Sequence, residues 1–148
     1  MLRHLITHPF KAADATFKSA TPTIRGRLVQ KDYVTKTAIV PTSQEGLFWI
    51  TKDSYPTGLL SLEGELSDYD PRLESIVANE PVVLETPVSG EVYATSEFVT
   101  GLVDGDFVEV ETTGIDSGKL KKSSAKTKYQ YVGEVKENGH TLAKIAVL

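Results

Sequence analysis

From Thr23 onward the chain alternates short runs of aliphatic, aromatic and β-branched residues with Gly, Pro, Asp and Asn. That punctuation separates strands from turns. Nine runs stand out, at residues 23–31, 33–40, 46–51, 82–85, 91–95, 106–112, 119–123, 129–136 and 141–148. In the first, Ile24 and Leu28 share one face while Arg25 and Arg27 take the other, as in a half-buried strand. The run 33–40 stops at Pro41, and 46–51 is a compact apolar stretch holding the only Trp. Strands at this even spacing predict an all-β fold, a small barrel or sandwich. Asp104-Gly105 and Asn138-Gly139 tolerate φ > 0 at both positions and predict hairpins, the second pairing 129–136 with 141–148. The last run, TLAKIAVL, is almost wholly apolar, which predicts a strand buried on both faces.

Two segments break this rhythm. Residues 1–22 hold neither a period of 2 nor of 3.6, and Pro9 and Pro22 interrupt them. They predict an extended N-terminal arm, which at full stretch would reach on the order of 70 Å. Its Leu2, Leu5, Ile6, Phe10 and Phe17 have little reason to remain in water. The domain proper is then 23–148. Residues 70–77 predict one short helix: Asp70 sits at the N-cap, Pro71 at the first helical position, and Leu73, Ile76 and Val77 on one face, with Asn79 and Pro81 ending it.

Composition adds bounds to that pattern. A chain of 148 residues, 40% hydrophobic, has room for one sizeable core. The absence of cysteine excludes disulfides, thiolate nucleophiles and Cys-ligated metals. No run approaches the roughly 18–20 apolar residues of a membrane helix, and the start has no apolar signal-peptide region. The net charge of −4 conceals a segregation: residues 1–36 carry +5, residues 37–118 carry −14, and residues 119–148 carry +5. Such asymmetry serves either mutual neutralisation within one fold or contact between subunits.

Candidate chemistry is sparse. The acidic group Glu63, Glu65, Asp68, Asp70 and Glu74 could serve acid–base hydrolysis or a cation, but it lacks the calcium-loop spacing and reads first as a solvated face. His4 and His8 have the i, i+4 spacing of zinc ligands on a helix, yet Pro9 follows at once and two further ligands would be needed. No Gly-x-Ser-x-Gly elbow, P-loop or dinucleotide fingerprint occurs, and no cofactor is implied. Lys119, Lys121, Lys122, Lys126 and Lys128, followed by Tyr129 and Tyr131, form a basic docking surface that could alternatively take single-stranded nucleic acid, with rings for base stacking. The acidic centre of the chain weighs against that partner.

Residues 88–120 and the closing hairpin resemble the small β-structured decoration proteins of tailed bacteriophages, also called cement or head-stabilising proteins. The matching positions are Gly90, Tyr93, Ala94, Thr95, Gly105, Asp106, Val108, Val110, Gly118, Leu120, Tyr131, Val132, Gly133, Leu142 and Ile145, within roughly the C-terminal 60 residues. The resemblance implies a non-enzymatic virion protein, made in the host cytoplasm, that binds the major capsid protein on the assembled head and bridges neighbouring subunits. A homo-oligomer, with a trimer favoured, would be the working form. The contacts would come from Leu5, Ile6, Phe10, Lys11, Phe17 and Lys18 of the arm, whose apolar members must offset about 1–2 kcal/mol of backbone entropy per residue ordered.

Overall fold

The alternation read from the sequence becomes thirteen strands in the computed structural model, which describes residues 1–9, 11–52, 74–137 and 139–148, with Lys52 described for its backbone alone. In chain order they are β1 (Leu2–Ile6), β2 (Ala13–Ser19), β3 (Thr23–Ile24), β4 (Leu28–Asp32), β5 (Thr37–Ile39), β6 (Leu47–Lys52), β7 (Ser75–Ile76), β8 (Pro81–Glu85), β9 (Val92–Thr95), β10 (Phe107–Val110), β11 (Leu120–Lys122), β12 (Tyr129–Glu137) and β13 (His140–Val147). The protein is all-β. A five-stranded closed barrel, β2-β5-β4-β6-β8, packs against a six-stranded sheet ordered β1-β9-β13-β12-β10-β11. A two-stranded ribbon, β3-β7, completes the fold.

Two larger cores follow from which face each residue takes, beside a small cluster of Met1, Ala94 and Leu142. Val29, Ala38, Ile50, Val82, Leu84, Phe17 and Ile76 fill the barrel. Leu28, Leu47 and Trp49 lie on the other side of β4 and β6, against Leu2, Tyr93, Val108, Val110, Tyr129, Tyr131, Ile145 and Val147 of the large sheet. Strands β4 and β6 are therefore buried on both faces, which explains the unbroken apolar run Leu47-Phe48-Trp49-Ile50. The terminal hairpin forms as expected, with Glu137 opposite His140 and Gly139 at φ +84°. Strand β13 lies between β9 and β12, so it is interior to the sheet.

Four expectations are revised. Residues 1–22 are extended, but they fold back on the same chain: β1 pairs with β9, and β2 closes the barrel against β8 and β5. The reason is alternation in β2, which turns Phe17 and Ser19 inward. The run 23–31 is two strands, because the chain turns at Gly26 (φ +94°). A Cβ there would stand 2.8 Å from the Met1 carbonyl oxygen, so only glycine lets the two segments approach. Of the expected helix, residues 70–73 lie outside the described residues, while Ser75–Ile76 pair with Thr23–Ile24 and bury Ile76 in the barrel core. Asp104-Gly105 forms a turn, closed by Asp106 N–H to the Val103 carbonyl at 2.9 Å, but it leads into β10 from an irregular segment rather than joining two paired strands.

Candidate interaction surface

Strand β1 is an edge strand whose register breaks between His4 and Ile6. His4 opposes Tyr93 and Ile6 opposes Val92, leaving Leu5 as the extra residue of a bulge. A regular strand sends consecutive side chains to opposite faces. The bulge suspends that rule and leaves Leu5 46% and Ile6 58% exposed, side by side. Two of the six residues expected to make contacts thus form an apolar pair at the sheet edge.

The backbone behind this pair is held by a polar network. His4 Nε2 meets Glu85 Oε2 at 2.6 Å, and Lys11 Nζ donates to the same oxygen. Lys11 also lies 5.2 Å from the centre of the Tyr93 ring. Glu91, almost fully buried, accepts from the backbone N–H of His8 and of Val88, each at 3.0 Å, and from the Tyr93 hydroxyl. Residues on both sides of the Leu5–Ile6 bulge are in this way tied to β8 and to the residues leading into and forming β9. Burial opposes the charge of Glu85, but the bonds from His4 and Lys11 prevail and hold its carboxyl below the ordinary value. Glu91 behaves alike, its burial outweighed by the Tyr93, His8 and Val88 donors. The Tyr93 hydroxyl is pushed up, first by burial and then by its bond to Glu91.

The other expected contact residues divide. Phe17 is 1% exposed and belongs to the barrel core, so it is not a surface anchor. Lys11 is occupied by Glu85, Lys18 is exposed on β2, and Phe10 lies outside the described residues.

The basic stretch is largely neutralised by the acidic centre of the chain. Lys119 pairs with Asp116 at 2.7 Å, Lys121 with Glu111 at 3.0 Å and Lys122 with Asp106 at 2.8 Å. The Lys121 ammonium and the donors of Thr113 draw the Glu111 carboxyl down to about 2. Lys126 and Lys128 are both exposed, and partial desolvation lowers the pKa of the Lys128 ammonium, which stands 5.0 Å from the centre of the Tyr129 ring. Tyr129 and Tyr131, expected as stacking platforms, are 2% and 4% exposed and sit in the core between the layers. The N-terminal basic segment is paired in the same manner, Arg27 with Glu97 at 2.8 Å and Lys31 with Asp14 at 2.8 Å.

Glu63, Glu65, Asp68 and Asp70 of the acidic group lie outside the described residues. Glu74 lies 2.7 Å from the Met1 ammonium and 4.0 Å from Arg25. His4 and His8 are not on a helix, and among the described residues no three His, Asp or Glu side chains converge as metal ligands. No helix among the described residues is long and apolar enough to cross a membrane.

A second exposed apolar feature escaped the sequence reading. The turn between β4 and β5, residues 33–36, presents Tyr33 and Val34 at 63% and 93% exposure. Its signal was an Asp followed by aromatic, aliphatic and Thr residues, which reads equally well as part of a strand.

No protein-family model matches the chain, and no curated protein or solved structure matches it.

Proposed function

We propose that this protein is a non-enzymatic structural component of a phage head, binding the outer surface of the assembled capsid and bridging neighbouring subunits. The observation that carries the reading is the Leu5–Ile6 pair, two adjacent apolar side chains turned outward by one bulge and held on a braced backbone. Apolar side chains on a fixed backbone bind without first being ordered, so more of their burial energy reaches the complex. The resemblance of residues 88–120 and the closing hairpin to decoration proteins supplies the partner, the major capsid protein. The protein acts as a homo-oligomer, with a trimer the favoured form.

Sedimentation with undecorated heads tests this. The wild type pellets with the heads at micromolar concentration, and Leu5→Glu/Ile6→Glu stays in the supernatant with its melting temperature unchanged. Light scattering on the same pair locates self-association: a trimer that persists in the double variant leaves Leu5 and Ile6 for the capsid. Wild-type protein that does not pellet removes the reading.

A further inference from the structure

Strand β1 can meet a partner in two ways, along its free edge or on the face it shares with its neighbours in the sheet. The edge is poorly suited. It is five residues long, Leu2 is 1% exposed, and the register breaks between His4 and Ile6. A short, bulged edge resists the addition of another strand, which needs a run of regular backbone donors and acceptors.

The face is different. Ile6 stands opposite Val92 of β9, and Val92 stands opposite Ala146 of β13. Directly opposed residues point to the same side of a sheet, with Cβ atoms roughly 4.5–5.5 Å apart. That side is the outer one, because the alternate residues Tyr93 and Ile145 are buried in the core between the layers. Leu148, two positions beyond Ala146, is 49% exposed, whereas Val147 between them is buried in that core. The Leu148 N–H donates to the Lys128 carbonyl at 2.8 Å, which carries the pairing past the end of β13. Beside it Gly90, whose N–H donates to the Val147 carbonyl at 2.8 Å, presents no side chain.

Leu5, Ile6, Val92, Ala146 and Leu148 thus make one apolar patch across three strands. Val92 and Ala146, half-buried, form its low centre, and the more exposed Ile6 and Leu148 stand at its sides. Polar groups bound it. The next row of the same face holds Arg3, Ala94 and Lys144, with Arg3 bonded to Glu137 at 3.3 Å, and Gln130 of β12 opposes Ala146. An apolar centre inside a polar rim is the anatomy of a protein interface.

We propose that the capsid lies against this outer face of the large sheet, covering Ile6, Val92, Ala146 and Leu148, and does not extend the sheet by pairing with β1. The proposal rests on the capsid reading above, and adds to its Leu5–Ile6 pair the residues of β9 and β13 that the register places beside it. The low centre between Ile6 and Leu148 fits a protruding apolar side chain of a folded protein surface.

The chain has no cysteine, so one introduced thiol places a probe at a chosen point. Leu148→Cys, labelled with a maleimide-linked benzophenone and irradiated on undecorated heads, cross-links to the capsid protein, and Val34→Cys on the barrel turn does not. In the sedimentation assay Leu148→Glu and Ala146→Lys each weaken head binding about tenfold or more, with Leu148→Glu keeping the wild-type melting temperature. Suppose the wild type pellets and Leu5→Glu/Ile6→Glu does not, yet Leu148→Glu binds like the wild type or Leu148→Cys cross-links no more than Val34→Cys. Contact on the face is then overturned while the capsid reading stands. Wild-type protein that does not pellet removes that reading and this proposal with it.

Discussion

Glu85 receives His4 and Lys11 on a single carboxylate oxygen, and the consequences are measurable. Its carboxyl titrates below the ordinary 4.5 in the folded chain, so the unfolded chain binds the proton more readily. The stability it contributes is therefore complete above the unfolded value and is lost as the pH falls through the folded one. Denaturant melts from pH 7 down to pH 3 should show a steep loss in the acid range. Glu85→Gln should flatten that loss and cost about 1.5–3 kcal/mol at neutral pH, the range for hydrogen bonds to charged groups. Phe17 poses a different question. As an anchor for a partner its removal would spare the fold, but as a core ring its truncation to Ala should cost about 3–5 kcal/mol. A lowered denaturation midpoint in the isolated protein decides for the core. That position was misjudged because β2 is largely exposed along its length, and its inward alternation is visible only once β8 and β5 are beside it.

Elements differ in how much of their environment is written locally. The run 46–51 is apolar between Gly46 and Thr51 and is buried on both faces, whereas the final strand has a neighbour on each side in the sheet but fully buries only the face of Ala143, Ile145 and Val147, its other face carrying half-buried Lys144 and Ala146 beside buried Leu142. Strand β13 pairs with β12 on one side and β9 on the other, and Leu142, Ala143, Ile145 and Val147 are all buried. Deleting residues 145–148 should therefore abolish cooperative unfolding, and a truncated chain that melts with a single sharp transition would refute the assignment. Short elements were less legible. The pairing of Ser75–Ile76 with Thr23–Ile24 joins residues some fifty positions apart, and a two-residue strand carries no period of its own. The Asp70-Pro71 signal for a helix start is local and offers no information about where Ile76 finds its partners.

At the scale of the whole molecule, the charge segregation resolves mainly within one chain. The basic N-terminal and C-terminal segments meet carboxylates of the acidic centre, as in Arg27–Glu97, Lys11–Glu85, Lys121–Glu111 and Lys122–Asp106. Among the apolar side chains that the described residues leave outward are two adjacent pairs, Leu5 with Ile6 on the sheet edge and Tyr33 with Val34 on the barrel. Binding to heads should accordingly depend more on Leu5 and Ile6 than on ionic strength. In the sedimentation assay the wild type should remain bound when salt is raised from 0.05 to 0.5 M, roughly where exposed ion pairs are screened, whereas the Leu5→Glu/Ile6→Glu variant should fail to bind at either salt.

The sequence by itself determined the β class, nearly every strand from residue 28 to the end, the terminal hairpin and the lack of cysteine chemistry. Those properties depend on periods of two residues and on turn dipeptides, which a few neighbouring positions suffice to encode. Only the tertiary structure decided that residues 1–22 belong to both sheets, that Tyr129 and Tyr131 face inward, and that the lysines of 119–122 are paired. It also decided that a bulge turns Leu5 and Ile6 to the surface together. Each of these depends on register against a strand far away in the chain, where a shift of one residue exchanges the buried face for the exposed one.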